Sequence, residues 1–186
     1  MHGDEAPSSW VVRWLGTPGA RQSVLDLACG RGRHARLAAE RGFAATAVDR
    51  DAAALATLSE VAGVRTKIAD LEGAPWPFSS ASFDIIIVTN YLHRPLFEGM
   101  AQSLRPSGML IYETFTLGNE RHGRPSNPAF LLKAGELLAA FAGSLRVVAF
   151  EEGEVNAPKP AIVQRYVGVR LGALPDDWWP NPERLD

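Results

Sequence analysis

The chain has a single cysteine, Cys29, in 186 residues, so no disulfide can close within it. A reducing compartment, and with it a cytoplasmic location, is the simpler reading of such sparse usage. Lysine is scarce as well, at positions 67, 133 and 159 only, and arginine carries nearly all the positive charge. That bias hints at a GC-rich genome. No run approaches the roughly 20 apolar residues that a membrane span needs. The opening "MHGDEAPSSWVVRWLG" is acidic at its start and has no long apolar core, so no signal peptide is read there. An excess of one charge sign is missing too. The net charge of -2 leaves no broad basic footprint for nucleic acid, although a local patch stays open.

What is present is ordinary globular material, 46% hydrophobic and 22% charged. The length suits one domain with its own core. The expected layout is a single domain over 1–186, with an N-terminal helical cap at 1–22, an α/β core at 23–171 and a tail at 172–186.

Strand and helix patterns alternate. "SVLDLAC" reads as a buried strand, "RHARLAAERG" as a helix stopped by Gly42, and "AATAVDR" as a second strand. "DAAALATLSEVAG" reads as a helix capped by Asp51, and "VRTKIAD" as a third strand. "LEGAPWPFSSAS" is a loop. "FDIIIVTNY" is apolar throughout, which fits a strand covered on both faces. "RPLFEGMAQSL" is a helix, and "GMLIYETF" a fifth strand. "TLGNERHGRPSNP" is a long polar loop, and "AFLLKAGELLAAFAG" another helix. "LRVVAFEEG" and "AIVQRYVGVRL" are the last strands, too close together for a crossover helix, so they should pair as an antiparallel hairpin. The expected fold is a doubly wound, Rossmann-like α/β sheet of seven strands, mostly parallel with the last strand antiparallel.

The stretch Gly30-Arg31-Gly32-Arg33-His34-Ala35 fits the pattern G-x-G-x-x-A between a strand and a helix. Alone it fits a dinucleotide site. Asp49 lies 19 residues beyond Gly30 and is placed to accept ribose hydroxyls, which does not separate cofactors that both carry adenosine. Asp26 does separate them. A carboxylate in the strand feeding the loop would repel a pyrophosphate but suits a sulfonium and an ammonium.

"LDLACGRGRHA" resembles the acid-x-Gly-x-Gly-x-Gly signature of class I S-adenosylmethionine-dependent methyltransferases, with Ala28 in place of the first glycine. "FDIIIVTNYLHRPLF" followed by "LRPSGMLIYETF" is similar to that family's fourth strand, helix and following turn, with Ser107 in place of a glycine. The short length and the "YETF" strand end resemble the small bacterial group related to tellurite-resistance methyltransferases. The resemblance covers nearly the whole chain and implies S-adenosyl-L-methionine as cofactor. It places the signature residues Asp26, Ala28, Cys29, Gly30 and Gly32 at the cofactor. It implies that Asp49 binds ribose, that Arg50 packs along adenine, that Asp70 and the Leu71 backbone read the adenine, and that Asn90 and Tyr91 hold the methionine end.

Other positions carry competing readings. Asp70 also reads as a turn residue, and Cys29 as a small residue tolerated in the loop. Trp10 and Trp14, spaced i, i+4, are either core or a lid. Trp178-Trp179 are a partner site or a tail packed on its own sheet. The loop after the fifth strand is long and polar, which marks it as functional or disordered. Arg121, His122 and Arg124 within it suit an anionic or strongly polar acceptor. The donor is already activated, so a base is needed only where the acceptor must lose a proton. His93, Glu113 and His122 are the candidates. No metal site is expected.

The expected activity is methyl transfer to a small or polar molecule, by a monomer or homodimer that needs neither nucleic acid nor membrane. The alternatives are an NAD-dependent oxidoreductase, a non-catalytic S-adenosylmethionine-binding module, and an RNA methyltransferase.

Overall fold

The computed structural model describes residues 6–19 and 22–171. Trp178 and Trp179 lie outside the described residues. The described chain folds as α1 (Ser9–Leu15), β1 (Ser23–Leu27), α2 (Arg33–Glu40), β2 (Ala44–Asp49), α3 (Ala52–Ala56), β3 (Val64–Ile68), β4 (Phe83–Thr89), α4 (Phe97–Ser103), β5 (Leu104–Phe115), α5 (Glu136–Phe141), β6 (Leu145–Val155) and β7 (Ala161–Arg170). One seven-stranded sheet runs in the order β3-β2-β1-β4-β5-β7-β6. β1 to β5 run parallel to one another, while β7 is antiparallel to both β5 and β6. The connection 156–160 has no room for a crossover helix, so the chain turns back and β7 enters the sheet reversed.

The continuous apolar run of β4 follows from burial on both faces. Ile85 and Ile87 join one core with Trp10, Trp14, Met109, Ile111 and Val167. Ile86 and Val88 join the other with Met100, Tyr112, Phe141 and Tyr166. Ser8 caps α1, its hydroxyl accepting from the backbone N–H groups of Trp10 and Val11. Both tryptophans of α1 are core residues, 2% and 7% exposed, which removes the lid alternative. Their rings meet edge-on at 5.6 Å, and the Trp10 indole N–H donates to the Tyr166 carbonyl at 3.4 Å. Two such side chains bury roughly 150–250 Å² each, on the order of 4–6 kcal/mol apiece at ~25 cal/mol/Å². α1 is thereby fixed to the sheet.

Two helices are shorter than their apolar pattern. α3 keeps its expected cap, Asp51, whose carboxylate accepts from the N–H groups of Ala53 and Ala54. It ends at Ala56 because the Thr57 and Ser59 hydroxyls bond the carbonyls of Ala54 and Ala56 and compete with the helix ladder. α5 starts at Glu136, well inside the expected segment. Residues Pro128–Phe130 instead make one 3₁₀ turn capped by Asn127, and Gly135 enters the helix left-handed at φ 63°. Among the described residues, no helix is long and apolar enough to cross a membrane.

Candidate functional site

The parallel order puts the carboxyl ends of β1, β2 and β4 side by side, the position where open α/β sheets bind ligands. The turn after β1 is built from three left-handed residues, Ala28 (φ 52°), Gly30 (φ 54°) and Gly32 (φ 72°). The two glycines serve different ends. A Cβ on Gly32 would lie 2.4 Å from the Leu58 side chain, so Gly32 is fixed by packing against the turn behind α3. A Cβ on Gly30 would meet nothing within 4 Å, so this is the open side of the turn. Ala28 takes the left-handed conformation in the place of the signature's first glycine, and Ser107 does the same at φ 64°. Each such residue costs roughly 1–2 kcal/mol.

Asp49, at the end of β2, closes this turn. Its Oδ2 accepts the Gly30 backbone N–H at 2.8 Å, and its Oδ1 that of Asp51 at 2.9 Å. Each oxygen keeps a lone pair for a further donor. Asp70 follows β3 and makes a side-chain turn, accepting from the N–H groups of Glu72 and Gly73. Those bonds hold its carboxyl below the usual range. The turn-residue reading of Asp70 therefore holds alongside any ligand role. Asn90, just past β4, is left-handed at φ 55°, a conformation that asparagine tolerates. Its N–H donates to the Glu113 carbonyl at 3.0 Å. The Tyr112 hydroxyl donates to the Tyr91 carbonyl at 2.8 Å and fixes the chain there.

Between these groups lies a cleft of ≈ 300 Å³, lined by Ala28, Asp49, Arg50, Ala69, Asp70, Leu71, Glu72, Asn90 and Tyr91. Seven of the expected cofactor residues are on its wall, namely Ala28, Asp49, Arg50, Asp70, Leu71, Asn90 and Tyr91. Ala69 and Glu72 were not expected there. Only their adjacency to Asp70 signalled them. The lining carries three carboxylates against one guanidinium, an electrostatic match to a cationic ligand and a mismatch to a pyrophosphate. The Tyr91 hydroxyl is buried on the wall beside the Glu72 carboxylate. Burial, then the nearby Glu72 and Asp70 carboxylates, push its pKa up, so it stays a neutral phenol.

Asp26, Cys29, Gly30 and Gly32 do not line the cleft. Asp26 sits beneath the turn, 1% exposed, its Oδ2 accepting the Ala35 N–H at 2.9 Å in the first turn of α2. Burial raises its pKa from the usual 3.8 to about 7, against that backbone bond and Arg33, which pull it down. Cys29 is half-buried. Burial, then the Asp26 and Asp49 carboxylates, push its thiol far above the range where a thiolate forms. The small-residue reading of Cys29 fits this setting.

None of the three candidate bases lines the cleft. Glu113 is engaged, its Oε2 accepting from Arg165 Nε at 2.6 Å on the neighbouring strand β7. His122 faces Glu154 on the β6–β7 hairpin at 3.5 Å. His93 stands near Asp70, lowering that carboxyl slightly. The loop after β5 differs from the structureless segment its composition suggests. Its Asn119 side chain is buried, donating to the Pro125 carbonyl and accepting the Ile162 N–H. Thr116 bridges to Leu132. Arg121 and Arg124 remain exposed on the anchored loop. Among the described residues, no group of three or more His, Cys, Asp or Glu side chains is placed to hold a metal ion.

Residues 24–108 match the family model of a methyltransferase domain. No curated protein matches the chain. Solved structures with the same fold include an S-adenosylmethionine-dependent methyltransferase from Methanosarcina mazei, with a TM-score of 0.70 and 14% identity over 90% of this chain and 99% of that one. TehB from Haemophilus influenzae superposes with a TM-score of 0.66 and 18% identity, covering 82% of this chain and 58% of that one. A geranyl diphosphate C-methyltransferase from Streptomyces coelicolor, solved with S-adenosyl-L-homocysteine, gives a TM-score of 0.65 and 18% identity over 87% of this chain and 76% of that one.

Proposed function

We propose that this chain is a class I S-adenosylmethionine-dependent methyltransferase that transfers a methyl group to a small or polar acceptor, a reading supported by its fold and by the methyltransferase-domain match over residues 24–108. The observation that carries the reading is the net-acidic cleft beside the Gly30 turn, with Asp49 and Asp70 on one wall and Asn90-Tyr91 on the other. When bound, S-adenosylmethionine supplies a methyl group on a positively charged sulfur, already activated for in-line displacement.

The protein's part is to bind, orient and exclude water, which supplies several kcal/mol of rate acceleration. In this reading Asp49 uses its spare lone pairs on the ribose hydroxyls, which hold the sugar against the Gly30 turn. Asp70 accepts from the adenine amine, the Leu71 N–H reaches a ring nitrogen, and Arg50 lies along the base. Ala28, Cys29 and Gly30 pass close to the amino-acid portion through their backbone, with Gly32 fixing the turn behind them. Asn90 and the Tyr91 hydroxyl take the other side. Asp26, once ionised, sets negative potential under the turn. The three lining carboxylates work against a dinucleotide reading.

For the acceptor, the candidate bases support one class over another. Glu113 is paired with Arg165, His122 with Glu154, and His93 stands on the Asp70 side. An acceptor that is nucleophilic without losing a proton in the site, a thiolate or another soft anion, fits this arrangement best. Arg121 and Arg124, exposed on the anchored loop, would draw such an anion in. The test is a screen of thiols, soft oxyanions, hydroxyls and amines that reads out S-adenosylhomocysteine. Turnover confined to hydroxyls or amines would overturn the acceptor class. Any enzymatic turnover excludes a purely binding module.

A further inference from the structure

His34 belongs to the first turn of α2, next to the glycine turn, and its side chain is 2% exposed. A buried imidazole must have partners, and these come from three different segments. Its Nε2 accepts the backbone N–H of Ser8, the residue that caps α1, at 3.0 Å. Its Nδ1 lies 3.3 Å from the hydroxyl of Thr89, the last residue of β4, and 4.0 Å from Asp26 Oδ1. Because Nε2 accepts, the proton of the neutral ring is on Nδ1, where it points at Thr89 and Asp26. Burial, then Arg33, lower the ring's pKa from 6.5 to about 3, so the ring stays neutral and the Nε2 lone pair stays available.

Arg33 reinforces the same junction, its guanidinium donating to the Ala6 carbonyl at 3.3 Å. Residues 6–8 therefore lie against the start of α2, and α1 leads from them into the Trp10–Trp14 core. Thr89 directly precedes Asn90 and Tyr91, which line the cleft, and α2 directly follows the glycine turn, whose Ala28 also lines it. One ring spans the two.

We propose that His34 is a positioning residue for the cofactor cleft, fastening residues 6–8 and the end of β4 to the first turn of α2 so that the glycine turn and Asn90-Tyr91 keep a fixed spacing. The proposal rests on the methyltransferase reading of that cleft. It gives His34 no contact with ligand and no proton to transfer.

The experiment compares His34→Leu, which removes both nitrogens, with His34→Gln, whose amide can accept from Ser8. A second pair, Ser8→Pro and Ser8→Ala, covers the case in which His34→Leu does not fold. Ser8 has φ -56°, which proline adopts, so Ser8→Pro removes the N–H while both variants remove the capping hydroxyl equally. Three readouts are taken: the imidazole tautomer by ¹⁵N NMR, amide exchange over 8–15, 28–35 and 89–91, and the S-adenosylhomocysteine dissociation constant. The wild-type ring should be the Nδ1–H tautomer. His34→Leu, and Ser8→Pro relative to Ser8→Ala, should speed exchange at all three segments and weaken binding by about tenfold, while His34→Gln stays within about threefold of wild type. An Nε2–H tautomer overturns the proposal, and so does unchanged exchange and affinity in either removing variant. Failure of the wild type to bind S-adenosylhomocysteine overturns the methyltransferase reading instead, and the tautomer and exchange then decide on His34 by themselves.

Discussion

Asp49 at the end of β2 accepts the backbone N–H of Gly30 in the turn after β1, at 2.8 Å. The residue we propose to hold the ribose is thus also the residue that shapes the turn beneath it. In the proposed reading two functions share one carboxylate, and a substitution disturbs both.

Asp49→Ala should weaken S-adenosylhomocysteine binding by about 1.5–3 kcal/mol, as expected for lost hydrogen bonds to a charged group. It should also lower stability by about 1–3 kcal/mol, because the N–H groups of Gly30 and Asp51 lose their acceptor. Isothermal titration and urea unfolding measure the two effects separately. A variant with native stability would mean that solvent takes over both N–H groups.

The two glycines of the turn should separate cleanly. Gly32→Ala places a Cβ into Leu58 and forces a left-handed alanine, so the loss should be in stability, about 2 kcal/mol or more. Gly30→Ala meets no atom within 4 Å and carries only the backbone strain, about 1–2 kcal/mol, but it puts a methyl group on the open side of the turn. Its larger effect should be on cofactor affinity. Equal stability losses with unchanged affinity would contradict this division.

Left-handed alanines offer a gain in stability. Ala81 is exposed with φ 52°, and Ala81→Gly should stabilise by about 0.5–1 kcal/mol, the left-handed penalty less the entropy cost of glycine. Ala28→Gly should gain less, since the Ala28 methyl packs against the core. Thermal unfolding of the two variants checks the order. A drop in the melting temperature of Ala81→Gly would sink the argument.

The buried Asp26 should make both stability and binding depend on pH. Its folded pKa of about 7 stands above the ordinary 3.8. The folded state therefore holds the proton more tightly, and this contribution to stability is full below about pH 3.8 and lost as pH rises through about 7. The stability of wild type relative to Asp26→Asn should fall between pH 5 and pH 8. A cationic ligand above the turn favours the carboxylate, so binding near neutral pH should release a proton. Titrations in buffers of different ionisation enthalpy would then give different observed heats. Identical heats would mean that Asp26 is already ionised in the free protein.

Much of this was legible in the sequence, for identifiable reasons. The short connection between β6 and β7 dictated an antiparallel hairpin, and the unbroken Ile85–Val88 run marked a strand buried on both faces. Asp51 declared itself as a cap by chemistry alone. Other features depend on distant partners and left no local trace. Gly32 fits a ligand-approach pattern, yet its constraint is Leu58, which only the fold brings near. Glu113 and His122 look like free titratable groups until the sheet sets Arg165 and Glu154 beside them. His34 sat inside the signature stretch, but its link to Ser8 spans 26 residues and its link to Thr89 spans 55.

The most direct test is titration of the purified chain with S-adenosyl-L-homocysteine and, in parallel, with NAD. The account requires micromolar-range binding of the first, about 8 kcal/mol of binding free energy, lost in large part in Asp49→Ala, and no binding of the second. Heat with NAD and none with S-adenosyl-L-homocysteine would contradict it.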